Sequence, residues 1–398
     1  MNTAKLVRAF ASGSLLHPTS SVPSFLDFTH TLAAKLGVSL PGPSEKQTSI
    51  AKFMGDAEHW VFVLVDGMGW ELLNLLAPTT FLRSQKAMEL RAIFPSTTAC
   101  AMTTLATGLW PGQHGVPGWW AYLAERGLSV TTLPFEERHT HAPLDTLGVA
   151  AEALWPFASW RERVQRDSLT IQPREIIHST FSNYLSGGSP GCGYQSICDA
   201  VDIVAARLDK VTTPSFTYLY LPEFDTVCHR QGVDHPQTAQ TLATIDAELK
   251  RLVDRLNGRA RLVISADHGH TNIPEANRIS LQDGDSLLEL LLAPPTGEPR
   301  VPVFHVRKEC ESAFVKLFGA RFPTDWVLLP TAQAAEMKLL GPEPLSPLAT
   351  SRFGIFMGIA TELATIQYQS PLDRLKPAHI GFHAGLSPAE MRIPLIVV

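Results

Sequence analysis

Three largely apolar runs, each leading into an aspartate, constrain this chain more than any other feature. Trp60-Val61-Phe62-Val63-Leu64-Val65 ends on Asp66, Phe216–Leu221 leads to Asp225, and Arg261–Ser265 leads to Asp267. A strand with one wet face alternates polar and apolar residues, whereas a run apolar at successive positions predicts a strand covered on both faces. A fourth run, Leu90 to Phe94, ends at the turn Pro95-Ser96-Thr97-Thr98. Helical patterns follow from Trp70 to Leu76, from the Pro95–Thr98 turn to Thr107, and from Gln237 to Leu256. Strands alternating with helices predict an α/β fold: a mostly parallel central sheet with helices on both faces. Such sheets bind ligands beyond the carboxyl ends of their strands. Asp66, Thr98, Asp225 and Asp267 all fall at such ends, which points to one site.

The 398 residues, 45% hydrophobic and 18% charged, supply a large core and room for additional elements. The core domain is expected in residues 1–116, 211–273 and 381–398, with Pro394–Val398 as a buried strand. Residues 117–210, less regular and carrying Ser186–Gly191, are expected to form an insertion or cap over the strand ends. Residues 274–380 are a second insertion candidate, with Val301–Val306 and Gly354–Ile359 as candidate core strands. A net charge of −5 and the lack of a basic tract exclude a phosphate-gripping nucleic-acid surface. Five irregularly spaced cysteines do not form a disulfide framework. Met1–Ser14 lacks the apolar stretch of a secretory signal, and no run approaches the roughly 20 apolar residues of a membrane helix. A cytoplasmic protein is the expectation; its oligomeric state is not specified.

The candidate chemistry is a set of oxygen and nitrogen ligands. Asp225 and His229 have the i, i+4 spacing that places both side chains on one helical face. Asp267 and His268 close a buried strand, and Gly269 permits the turn that would aim both at one ion. His383 lies in Gly381-Phe382-His383-Ala384-Gly385. Asp66, Thr98, Asp267 and His268 can form one metal site, and Asp225, His229 and His383 another. Carboxylate and imidazole without cysteine suit two catalytic Zn²⁺ ions, with Mn²⁺ as an alternative. Two metals roughly 4 Å apart clamp the attacking and leaving oxygens of an in-line displacement at phosphorus. Taken singly, each residue has a plainer reading: Asp66 as a helix cap, Thr98 as an N-cap, His383 as a loop histidine.

Taken together, Val65–Gly69, Phe94–Gly108, Thr107–Gly115, Leu221–Gly232, Ala266–Gly269 and His383–Ser387 resemble the alkaline phosphatase superfamily. They are most similar to its type I phosphodiesterase/nucleotide pyrophosphatase branch, and they occur in the family's order. The resemblance implies two zinc ions and a covalent phospho-threonine or phospho-serine intermediate. It also implies a nucleophile ten residues before a T-G glycine, which selects Thr98 over Thr97 by the distance to Gly108.

Two departures bear on the substrate. Branch members that take nucleotides resemble one another in an Asn shortly after H-G, where this chain has Trp119. No Arg or Lys occurs between Thr98 and Arg126. Relatives specific for monoesters use an Arg near the nucleophile against the dianion, so its absence favours a small-molecule phosphodiester or pyrophosphate-type substrate. Arg161, Arg163 or Lys308 could supply a cation from an insertion. Phosphomonoester or phosphonate hydrolysis is the alternative, and a non-catalytic metal-binding protein of the same fold the third reading. Cys100-Ala101-Met102 lacks the sulfatase pattern. Trp119, Trp120 and Tyr122 either line a substrate pocket or pack the insertion. His270 is left as a supporting residue or unassigned, and Glu223 as structural.

Overall fold

The computed structural model describes residues 3–42, 44–370 and 378–398. In chain order its strands are β1 (His59–Val65), β2 (Ala87–Arg91), β3 (Trp120–Leu123), β4 (Leu128–Thr131), β5 (Glu136–Glu137), β6 (Asp167–Pro173), β7 (Gly191–Tyr194), β8 (Ser215–Leu221), β9 (Arg261–Ser265), β10 (Thr271–Asn272), β11 (Arg278–Leu281), β12 (Thr296–Glu298), β13 (Val301–Phe304), β14 (Trp326–Pro330), β15 (Phe356–Ala360), β16 (Thr365–Tyr368), β17 (Gly381–Phe382) and β18 (Arg392–Val397).

The central sheet has the order β2-β18-β9-β1-β8-β6-β7. β1 pairs in parallel with both β8 and β9, and β8 continues in parallel to β6 and β7. Only β18 runs against the rest, wedged between β2 and β9. The fold is thus the expected α/β architecture with a largely parallel sheet. Its three middle strands, β9, β1 and β8, are buried along nearly their whole length, which is why their sequences are apolar at successive positions. The helix Pro236–Leu256 buries Leu242, Ile245, Leu249, Leu252 and Leu256, one stripe at helical spacing.

Residues 117–210 divide between two places. β3 to β5 join a second, antiparallel sheet of order β14-β15-β13-β12-β3-β4-β5, whereas β6 and β7 extend the central sheet. Val301–Phe304 and Phe356–Ala360 are strands, but of the second sheet and not the core one. That sheet has its own satellite core, where Phe304, Phe314, Phe318 and Phe356 pack together. Two smaller differences lie near the site. Trp70–Leu75 is a 3-10 helix, and β2 stops at Arg91, so that Ile93 and Phe94 are buried in the loop leading to Thr98.

The two sheets are tied by a buried ion pair. Arg300 donates through Nε to Glu390 Oε1 at 2.6 Å and through Nη2 to Oε2 at 3.0 Å. Its Nη1 donates to the carbonyls of Glu362 and Ala364. Glu390 also accepts from Gly385 N at 2.8 Å and from the Ser387 hydroxyl at 2.6 Å. The charges that burial would otherwise strand are thereby partnered.

Candidate two-metal site

Asp66 leaves the end of β1 with its backbone N–H bonded to Leu221 O at 3.0 Å, so the first turn beyond the sheet begins on it. Gly67 follows with φ 72°, and a Cβ there would stand 2.8 Å from His270 and 3.2 Å from Asp225. The position demands glycine on both grounds. Gly67 N donates to Asp267 Oδ1 at 3.1 Å, linking the ends of two neighbouring strands. Gly269 serves differently from the sequence expectation. Its φ lies outside the left-handed region, and a Cβ would meet Ala389 O at 2.0 Å and Gly69 Cα at 3.0 Å. Close approach, not turn freedom, requires the glycine.

Thr98 begins the helix Thr98–Thr107, and Thr97 occupies the N-cap position without capping by its side chain. The two threonines are separated by their partners. Thr97 Oγ1 donates to Glu298 Oε1 at 2.5 Å. Thr98 Oγ1 stands 3.2 Å from His268 Nε2 and 3.5 Å from each Asp66 oxygen. The unpaired amides of the first turn and the helix dipole favour an anion there.

Three imidazoles are held alike. His229 Nδ1 donates to Gly381 O at 2.8 Å, His268 Nδ1 to Gly269 O at 3.1 Å, and His383 Nδ1 to Ser96 O at 3.1 Å. Carbonyls only accept, so each Nδ1 carries a proton and each ring turns its Nε2 into the cluster, the atom a metal would take. His229 Nε2 and His383 Nε2 are 3.2 Å apart. Asp267 Oδ2 is buried without a hydrogen-bond partner, although His268 Nε2 lies 3.3 Å away. Burial, then the neighbouring charges of Asp267 and Asp225, push the Asp66 carboxyl well above its ordinary range. Burial, then His268 and His229, hold His383 well below its own. The first shift expresses clustered carboxylate charge without the counter-charge that divalent cations supply, and the second favours the unprotonated imidazole that a metal takes, so the residues fit metal ions.

Two ligand groups emerge: Asp66, Asp267 and His268 in one, and Asp225, His268, His270 and His383 in the other. Thr98 adjoins the first by its distances. His229 adjoins the second, its Nε2 being 3.4 Å from Asp225 Oδ1. All seven residues named from the sequence thus come together. His270 belongs with them, its Nε2 being 2.6 Å from Asp225 Oδ1. Its signal was its place two residues beyond His268, which carries no weight without the fold. Tyr220, pointing from β8, donates its hydroxyl to Asp66 Oδ2.

Glu298 had no sequence signal, because only the second sheet brings it to the helix that Thr98 begins. It accepts from Thr97 Oγ1 and, at 2.7 Å, from Trp119 N. Burial raises its carboxyl to about 7 against the pull of those two bonds. A carboxyl raised on folding contributes stability below its unfolded value and loses it as pH rises through the folded one. We expect the metal-free protein to lose about 3 kcal/mol from this group between pH 4.5 and about 7. Urea unfolding across that range should show a steeper loss of stability in the parent than in Glu298→Gln, and equal slopes would refute this contribution.

A cavity of about 590 Å³ opens on Thr98, Asp225, His229 and His383, and Trp119 and Trp120 line it. Trp119 is 37% exposed, whereas one face of Trp120 is covered by the Arg138 guanidinium at 4.3 Å. Tyr122 instead packs on His305. Arg161 is buried against Phe216 and Tyr218 and bonded to Thr170. Neither it, Arg163 nor Lys308 reaches the cavity wall. Cys100 is a buried core residue, and Glu223 binds the Tyr194 hydroxyl at 2.8 Å.

Comparison with known proteins leads to the same family. The family model described as type I phosphodiesterase/nucleotide pyrophosphatase matches residues 60–291. No curated protein matches in sequence. Among solved structures, an inactive variant of murine ectonucleotide pyrophosphatase/phosphodiesterase 5 in complex with AMP superposes with a TM-score of 0.63 at 16% identity, covering 84% of this chain and 87% of its own. The human protein of the same name superposes with a TM-score of 0.63 at 17% identity, over 85% and 87%. Among the described residues no helix is long and apolar enough to cross a membrane. From the strand ends that gather its acids to the model that spans more than half of it, this chain belongs to the type I phosphodiesterase/nucleotide pyrophosphatase family of the alkaline phosphatase superfamily, a family of hydrolases.

Proposed function

We propose that the chain is a two-zinc phosphoesterase that cleaves a phosphodiester or pyrophosphate-type bond through a phospho-threonine at Thr98. The observation that carries this is the Thr98 hydroxyl, at an uncapped helix N-terminus and within 3.5 Å of Asp66 and His268. Asp66, Thr98, Asp267 and His268 would hold one ion. Asp225, His229 and His383 would hold the other, with His270 beside Asp225. When bound, such ions lower the pKa of a ligated hydroxyl and neutralise charge on the phosphoryl oxygens.

The chain's own contributions follow from the geometry. Asp66 and His268 hold Thr98 Oγ1 in position, and Tyr220 holds Asp66. The Oγ–P bond forms as the P–O bond to the leaving alcohol or phosphate breaks, and the proton lost by the hydroxyl ends on the leaving oxygen. Water then cleaves the Oγ–P bond and restores the hydroxyl. The free amides of the first helical turn face the oxygens that gain charge. The murine relative's inactive form carries a threonine-to-alanine substitution and binds AMP, which supports the nucleophile and a small organic phosphate as ligand.

The test compares bis-p-nitrophenyl phosphate with p-nitrophenyl phosphate. Faster cleavage of the diester is expected, and a strong monoester preference would overturn the reading. Dialysis against a chelator should abolish turnover and lower the melting temperature. Added Zn²⁺ should restore both, with elemental analysis approaching two ions per chain. Unchanged activity in a metal-free preparation would end the two-metal assignment.

A further inference from the structure

The cation that the nucleophile helix lacks is present elsewhere in the wall of the same cavity. Arg278 opens β11 and lines the same cavity as Thr98. Its Nε donates to Ile273 O at 2.8 Å, which fixes the plane of the guanidinium. Its two terminal nitrogens have no hydrogen bond and no ion pair among the described residues. Glu275 on the same rim does not pair with it. β11 and β16 run in parallel, with Arg278 opposite Thr365 and Ser280 opposite Gln367. Ser280 and Gln367 line the cavity as well, so this wall offers polar groups along both strands. Trp119 and Trp120 contribute aromatic surface to the same cavity.

An anchored guanidinium with a free pair of donors matches the two oxygens of a carboxylate or phosphate. We propose that Arg278 receives a second anionic group of the substrate, set apart from the reacting phosphorus. This rests on the phosphoesterase reading above and sharpens it. The preferred substrates are phosphodiesters or phosphoanhydrides bearing a further phosphate or carboxylate, and not diesters with two neutral arms.

Three p-nitrophenyl aryl phosphates test it, with phenyl, 4-carboxyphenyl or 4-phosphonooxyphenyl as the second arm. The parent protein should prefer the charged arms by about 10- to 100-fold in kcat/KM, and the larger ratio identifies the anion. Arg278→Gln should bring all three within about twofold, through KM, and leave the phenyl compound unchanged. Equal loss on all three, or no preference in the parent, would overturn the assignment. If the parent cleaves none of them, the phosphodiesterase reading fails separately. Calorimetry with inorganic pyrophosphate then decides on Arg278, expected to bind at least about 10-fold more weakly to Arg278→Gln, equal affinity refuting the site.

Discussion

Thr98→Ala is expected to lower turnover of bis-p-nitrophenyl phosphate by about 10⁴-fold or more while leaving the protein folded. Removing a nucleophile ends the covalent route, and what remains comes from binding and electrostatics alone. The effect on folding is small by comparison. The Thr98 hydroxyl bonds only at the long distances of 3.2 and 3.5 Å, and its neighbours in the helix keep their burial. Thr97→Ala is the informative companion. Its hydroxyl is spent on Glu298, so this change should reduce stability and leave the phospho-enzyme able to form. Trapping phosphate on the protein by acid quench, followed by peptide mass analysis, places the modification. Phosphate on Thr97, or turnover unchanged in Thr98→Ala, would show that the nucleophile is misassigned.

The second large effect is expected at a residue that is not among the proposed metal ligands. Glu390→Ala should destabilise the protein by about 3–5 kcal/mol, read from urea unfolding. The substitution leaves the Arg300 guanidinium buried without its carboxylate and strips Gly385 N and the Ser387 hydroxyl of their acceptor. Gly385 is two residues from His383, and Ala384 between them holds φ 95°, a conformation that a residue with a Cβ resists. Without the Glu390 anchor that segment has reason to relax, so metal retention under chelator competition should fall together with stability. Ser387→Ala removes one of these bonds and should cost only about 1 kcal/mol. A Glu390→Ala protein as stable as the parent would show that the pair contributes nothing net.

The sequence disclosed the middle of the fold because burial on both faces writes itself as consecutive apolar residues. β1, β8 and β9 were readable on that ground, and their terminal acids came with them. β6 and β7 were not: Asp167–Pro173 carries Asp, Ser, Thr and Gln, and Gly191–Tyr194 is half glycine, as befits strands toward a sheet edge. The second sheet was unreadable as a sheet, since its strands are short and paired between distant parts of the chain, as Gly297 is with Trp120. Glu298, which that sheet brings to the site, therefore had no local signature. Nor had Arg278, which reaches the cavity from the separate pair of strands β11 and β16. The residues proposed as metal ligands were legible by contrast, because each sits within a residue or a turn of a strand end or in a motif whose order repeats that of a family.

The placement of β18 has a consequence for how the protein comes into being. Residues 392–397 separate β2 from β9, so the sheet stays split, with two unpaired edges, until that segment has been made. His383 and Glu390 arrive equally late. On a ribosome, a chain that has already displayed Asp66, Thr98 and Asp267 still lacks the strand that closes the sheet beneath them. Until residues 392–397 emerge, the nascent protein carries open strand edges, the state most exposed to wrong partners, and its proposed reactive centre is complete only once His383 has followed Asp66, Thr98 and Asp267.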